Sequence, residues 1–218
     1  MTPLTDRLTD FLPVFLAGMA VNFEIAGIAL VLGGVLGLPL AAMRIRGGVG
    51  GRVSISVIAL MRAAPTFVVM FFLLNALPVG ATLGGVSPVM AGILTVALSL
   101  VPYSAAYIAD SGVEALQQLR RGTTLGGLLI LPNVTRAFFV LVMSSGAGAA
   151  IGVPEGIAVI LRHAEQLPSL GDKFVLFAIG VLFFGVPLQI CFALVRLAQR
   201  YLTRVMTRSW AEPLPRQV

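Results

Sequence analysis

The sequence predicts an all-α integral membrane protein with five transmembrane helices, and three observations carry that expectation. Hydrophobic residues make up 58% of the 218 positions and charged residues 11%, with a mean hydropathy of +0.99. Soluble domains hold about 45–50% apolar and about 25% charged residues, so this apolar surplus points to lipid as the solvent. The stretch from Ala63 to Ala109 runs for 47 residues without a charge. One span needs about 20 apolar residues, so that stretch holds two helices and a turn. Finally, 14 of the 15 basic residues are arginine, and most of them fall in alternate gaps between the apolar runs.

Residues 1–13 carry two acids and one arginine in place of a basic leader and a short apolar core, so no cleaved signal peptide is expected. They form a short outer or interfacial segment ahead of a transmembrane domain over 14–205, and 206–218 form a tail. The first span covers 14–43, contains Glu24, and is long enough to tilt or to begin in the interface. The second and third, 63–78 and 88–109, flank "LPVGATLGGVSP", where glycine and proline concentrate. The fourth and fifth, 134–152 and 174–196, follow from further uncharged runs.

Arg44, Arg46, Arg52 and Arg62 lie between spans one and two, Arg120 and Arg121 between three and four, and Arg196, Arg200, Arg204 and Arg208 after five. The turn at 79–87 is uncharged and the loop at 155–173 is mixed. Positive charge gathers on the cytoplasmic side, which predicts an outer N-terminus and a cytoplasmic C-terminus. The net charge of +6 follows from this sidedness and calls for no nucleic-acid partner.

Small residues at four-residue spacing, Gly33 with Gly37 and Gly148 with Gly152, predict close helix contacts. The tract "SSGAGAAIG" (144–152) misses the GxGxxG pattern at Ile151 and is read as packing. Enzymatic motifs are lacking: HExxH, GxSxG, CxxC and a phosphate loop do not occur. Cys191 and His163 are each the sole residue of their type, so no cysteine or histidine metal set can form, and no cofactor is expected. Glu24 is the most informative charge. An acid at a helix centre costs roughly 2.5–3.5 kcal/mol on insertion scales, so it either stays hydrated near the outer surface or lines an aqueous pathway.

Several stretches in order carry a family likeness: "LAGMAVNFEIAGIALVLGGVLGLPLAAMRI" (16–45), "MRAAPTFVVMFFLLNALP" (61–78), "AAYIAD" (105–110) and "IGVPE" (151–155). The chain resembles the membrane-spanning permease subunits of type I ABC importers for polar amino acids, the group serving histidine, glutamine, glutamate and arginine. The resemblance covers about 14–205. It implies a bacterial inner-membrane protein that works with an ATP-binding subunit, a second permease chain and a periplasmic or lipid-anchored substrate-binding protein. ATP hydrolysis would then reside in the partner chain.

Under that resemblance Glu24, Tyr107 and Ser145 are candidates for the substrate pathway, while Arg62 and Pro65 shape the start of span two. Asp110, Glu114, Arg120, Arg121 and Gly122 lead toward the ATPase. Glu155, Arg162 and His163, in the outer loop, are candidates for contact with the binding protein. The chain also departs from the family. Only "TTLGGLLI" lies between Gly122 and Leu131, too short for the family's EAA coupling loop, and "EAL" at 114–116 falls in the preceding helix. The family's Lys-Asp-Thr-Ser in span four is replaced by Met143, Ser144, Ser145 and Gly146. A non-transporting scaffold or regulatory subunit related to such permeases is the alternative reading.

Overall fold

A computed structural model describes residues 4–76, 84–121 and 130–209. The described residues form helices α1 (Leu4–Arg46), α2 (Gly48–Ala63), α3 (Thr66–Ala76), α4 (Pro88–Arg120), α5 (Ile130–Ser144), α6 (Gly156–Glu165) and α7 (Leu170–Ser209), with a 3₁₀ segment Ser145–Ile151 after α5. No strand occurs among them. Four elements are long and apolar enough to cross a membrane: α1, α4, α5 with its 3₁₀ extension, and α7. The α2–α3 pair, bent by 89°, makes a fifth if it is one broken span.

Helix α1 has 43 residues, about 65 Å at about 1.5 Å per residue, roughly twice the hydrocarbon thickness of about 30 Å. Among the described residues it begins at Leu4, so 4–13 are continuous with the first span. Its most extensive partner is α4. At Gly33 an added Cβ would overlap the Ser104 side chain and meet the Ala105 nitrogen at 3.0 Å, and at Gly37 it would meet the Ala105 carbonyl oxygen at 2.5 Å. At Gly112 on α4 it would meet the Ala41 Cβ at 3.1 Å. Gly33, Gly37 and Ala41 thus face Ser104, Ala105, Ile108 and Gly112 in register, so α1 and α4 run parallel with their backbones nearly touching. Lipid gives helices no hydrophobic drive to associate, and small residues gain van der Waals contact instead.

After α1 the chain reverses at Gly47 and Gly48, with φ of 73° and 65°, a region glycine enters without strain. Helix α2 then packs against α1 and α4, burying Gly51, Ser54 and Ile58, with the Ser54 hydroxyl donating to the Leu40 carbonyl at 2.7 Å. Proline disfavours helical backbone in the residue before it. Accordingly Ala64 is extended (φ −70°, ψ 113°), α2 ends there, and α3 sets off from Pro65 at the sharp bend. The second span expected over 63–78 thus holds α3, with 77 and 78 outside the described residues. Arg62 and Ala63 close α2, and α3 carries only Thr66–Ala76 among the described residues.

Helix α4 starts at a Ser-Pro pair, where the Ser87 hydroxyl accepts from the Met90 N–H at 3.2 Å, as an N-cap should. It continues unbroken to Arg120, so Glu114, Ala115 and Leu116 belong to it, as the sequence predicts. Gly122 and the short segment after it, 123–129, lie outside the described residues. The core is built from Phe11, Phe15 and Ile25 of α1 with Met70, Leu100, Leu141 and Phe184. Phe15 stacks on Phe11 and sits edge-on to Phe184, with centroids 5.1 Å and 5.7 Å apart.

The glycine seam yields a graded prediction. Gly37→Ala forces a Cβ into backbone and should cost about 1–3 kcal/mol, as overpacking does. Gly27→Ala, where a Cβ meets nothing within 4 Å, should leave stability unchanged. Denaturation of the two purified variants in detergent checks this, and equal losses would refute the seam.

Candidate functional site

The densest polar chemistry inside the bundle is a network joining α1, the 3₁₀ segment and α6. Gly18 lets α1 approach the start of α6, since a Cβ there would lie 3.0 Å from the Glu155 carbonyl carbon. One turn further, the Asn22 amide donates to Ser145 Oγ and to Glu155 Oε2, both at 2.8 Å, and its Oδ1 accepts from the Gly156 N–H at 2.9 Å. Glu155 is the N-cap of α6, and its carboxylate also accepts from the N–H groups of Ile157 (2.9 Å) and Ala158 (2.7 Å). Ser145 donates to the Val142 carbonyl at 2.7 Å. Asn22 is 1% exposed and Ser145 and Glu155 are 0% exposed.

The arrangement closes a local account. The first N–H groups of a helix have no partner within it, and here Asn22 and Glu155 satisfy those of Gly156, Ile157 and Ala158. The partial positive charge of the helix N-terminus favours the carboxylate. Burial pushes the Glu155 carboxyl up from its ordinary value, while Asn22 and the N–H groups of Ile157 and Ala158 pull it back in part. Both carboxylate oxygens are engaged by the chain itself, so the group braces the structure.

The 3₁₀ segment beside this network spans seven residues, longer than the usual three or four. Its small residues make room for the neighbours: a Cβ on Gly146 would overlap Ile157, and one on Gly148 would meet Val153 at 3.2 Å and Val96 at 3.4 Å. Gly152 has a different role from the helix contact expected of it. It ends the segment in the left-handed conformation at φ 83°, and a Cβ there would meet nothing within 4 Å.

At the arginine-rich end, Asp110 of α4 bonds Arg44 of α1 at 2.9 Å and also Arg62 of α2. One carboxylate thus ties three helices together, with two guanidinium groups against it. The cluster is open to solvent, Arg62 being 62% exposed, so each pair is worth about 0–1 kcal/mol.

Other candidates fall in different surroundings. Glu24, for which the sequence leaves open a hydrated position near the outer surface or a place on an aqueous pathway, lies exposed on α1; the buried acid is Glu155. Placed by the sequence on an exposed contact loop, Glu155 offers no surface to a partner, because α6 needs it as a cap. Arg162 is exposed and His163 half-buried, its Nδ1 2.9 Å from the Val159 carbonyl and its ring edge-on to Phe11. Tyr107 is half-buried beside Tyr103, with centroids 6.2 Å apart. Ser145 is enclosed in the network. Pro65 is exposed at the α2–α3 bend, and Glu114, Arg120 and Arg121 are exposed along the end of α4. Asn22, which links the whole network, was not singled out from the sequence. Its signal was an amide two residues from an acid in an otherwise apolar run.

Two outcomes follow. Asn22→Ala removes two donors and one acceptor, and a buried polar group left unpaired costs about 1–3 kcal/mol; the variant should lose at least that much in detergent denaturation. Glu155 holds its proton more readily in the folded state. Its contribution to stability is therefore complete below the ordinary carboxylate range and is lost as pH rises through the raised folded value. The wild-type melting temperature should fall relative to that of Glu155→Gln over this window, and parallel curves would contradict it.

No protein-family model and no curated protein matches the sequence. Among solved structures, a chain in the crystal structure of an amino acid ABC transporter with histidines is similar at a TM-score of 0.64 and 20% identity, over 92% of this chain and 99% of that one. The protein is thus an all-helical, multi-pass membrane protein with the fold of that transporter chain.

Proposed function

We propose that the protein is the permease subunit of an ABC importer that carries polar amino acids or related small solutes across the bacterial inner membrane. The observation that carries this is the fold, shared along nearly the full length of both chains. The retained order of the family-like stretches supports it. In this reading the chain does no chemistry. A separate ATP-binding subunit supplies the energy, a second permease chain encloses the pathway, and a substrate-binding protein delivers the solute on the side of the N-terminus.

Glu24 is the pathway candidate best supported by its placement. It is exposed on the surface of one chain, and a charge facing lipid costs roughly 2.5–3.5 kcal/mol at a helix centre, which a hydrated cleft between two permeases would relieve. Tyr107 remains a candidate, whereas Ser145 fits better as a support for Glu155. Arg162 is the remaining exposed contact for the binding protein, with His163 behind it. Asp110, held between Arg44 and Arg62, couples the ends of three helices near the ATPase side.

A second reading rests on one observation. Helix α4 ends at Arg120 and α5 begins at Ile130, which leaves nine residues where the family has a coupling loop. A subunit without that lever would act as a scaffold, or would depend on its partner permease for coupling. Gentle affinity purification from membranes, with mass spectrometry of the bound chains, separates the readings. The permease reading expects an ATP-binding subunit and a second permease; recovery of the chain without an ATPase would remove it.

A further inference from the structure

We propose that the face of α7 bearing Arg196 and Arg200 is a binding site for the phosphate groups of anionic phospholipids. The inference needs the chain to cross a membrane and is independent of what it transports. The uncharged run Phe174–Val195 holds 22 residues, about 33 Å of helix at about 1.5 Å per residue, close to the hydrocarbon thickness of about 30 Å. Arg196 is the first charge beyond it. Arg200 follows on the same face about one turn, or roughly 6 Å, further along, and Arg204 continues the row. The interfacial layer on each side is about 5–7 Å deep, so Arg196 and Arg200 fall within the headgroups.

The surroundings favour a lipid over a protein. Both arginines are exposed, and so are their apolar neighbours Leu194, Leu197 and Tyr201, at 60%, 64% and 68%. The mixture of guanidinium groups and apolar surface matches a phospholipid, whose phosphate sits directly above its acyl chains. Arg196 is 5.6 Å from the centroid of the Phe192 ring, a cation–π contact that steadies it. Helix α7 carries no acid after Asp172, so it supplies no competing carboxylate of its own. Two shallow concavities run along this face, one between Phe192, Arg196 and Arg200 and the next between Arg200, Tyr201 and Arg204.

The test is native mass spectrometry of the purified full chain from micelles holding equal phosphatidylglycerol and phosphatidylcholine. Wild type should retain phosphatidylglycerol preferentially. Each arginine at a membrane surface is worth about fivefold in affinity, so Arg196→Gln with Arg200→Gln should reduce that retention by roughly 30-fold. The same pair changed to lysine should keep most of it. An unaltered melting curve of the glutamine variant in phosphatidylcholine shows that the fold survives. Equal retention of both lipids by wild type, or undiminished phosphatidylglycerol on the glutamine variant, overturns the site. Displacement of the lipid by inorganic phosphate would assign the arginines to a free anion, and loss of a co-purifying acidic protein with lipid unchanged would assign them to a protein; either refutes the lipid.

Discussion

Lipid removes the force that assembles most proteins. A bilayer is as apolar as the helix faces it meets, so association has to come from close contact and from polar groups that hydrocarbon cannot satisfy. The α1–α4 seam meets the first requirement. Gly33 and Gly37, one turn apart, bring the two backbones together, and this parallel pair positions the other elements. Helix α2 packs against both members, α3 packs on α4, and α5 packs on both. A bulkier residue at either glycine would separate the pair that carries them.

The second requirement is met differently at the two ends of the bundle. Where α6 begins, polar groups are buried and every one in the Asn22–Ser145–Glu155 network has a partner. At the arginine-rich end, Asp110 joins Arg44 and Arg62 in the open. The first arrangement is stiff, because each bond closes a donor or acceptor that has no water to turn to. The second is weak and readily rearranged.

Local patterns in the chain foretold much of the architecture. The uncharged runs announced α1, α4, α5 and α7 because a span leaves a length signature of apolar residues. Gly33 and Gly37 announced their contact, since small residues at that spacing present one face. Pro65 was legible as a boundary, yet the bend it causes was not. A proline excludes helix from the residue before it, but the direction of the next helix depends on what that helix packs against.

The sequence by itself determined the solvent, the helical class, the approximate spans and the arginine asymmetry, all of which follow from composition and from spacing within one helix. Only the tertiary structure decided which polar residues are inside. Glu24 and Glu155 carry the same carboxyl group in similarly apolar stretches, yet the first is exposed and the second lies buried on Asn22, 133 residues away. Asp110 and its arginines are likewise 66 and 48 residues apart. Such pairings depend on how whole helices turn about their axes, which is settled where glycine permits contact and bulk forbids it, and no local pattern records that rotation.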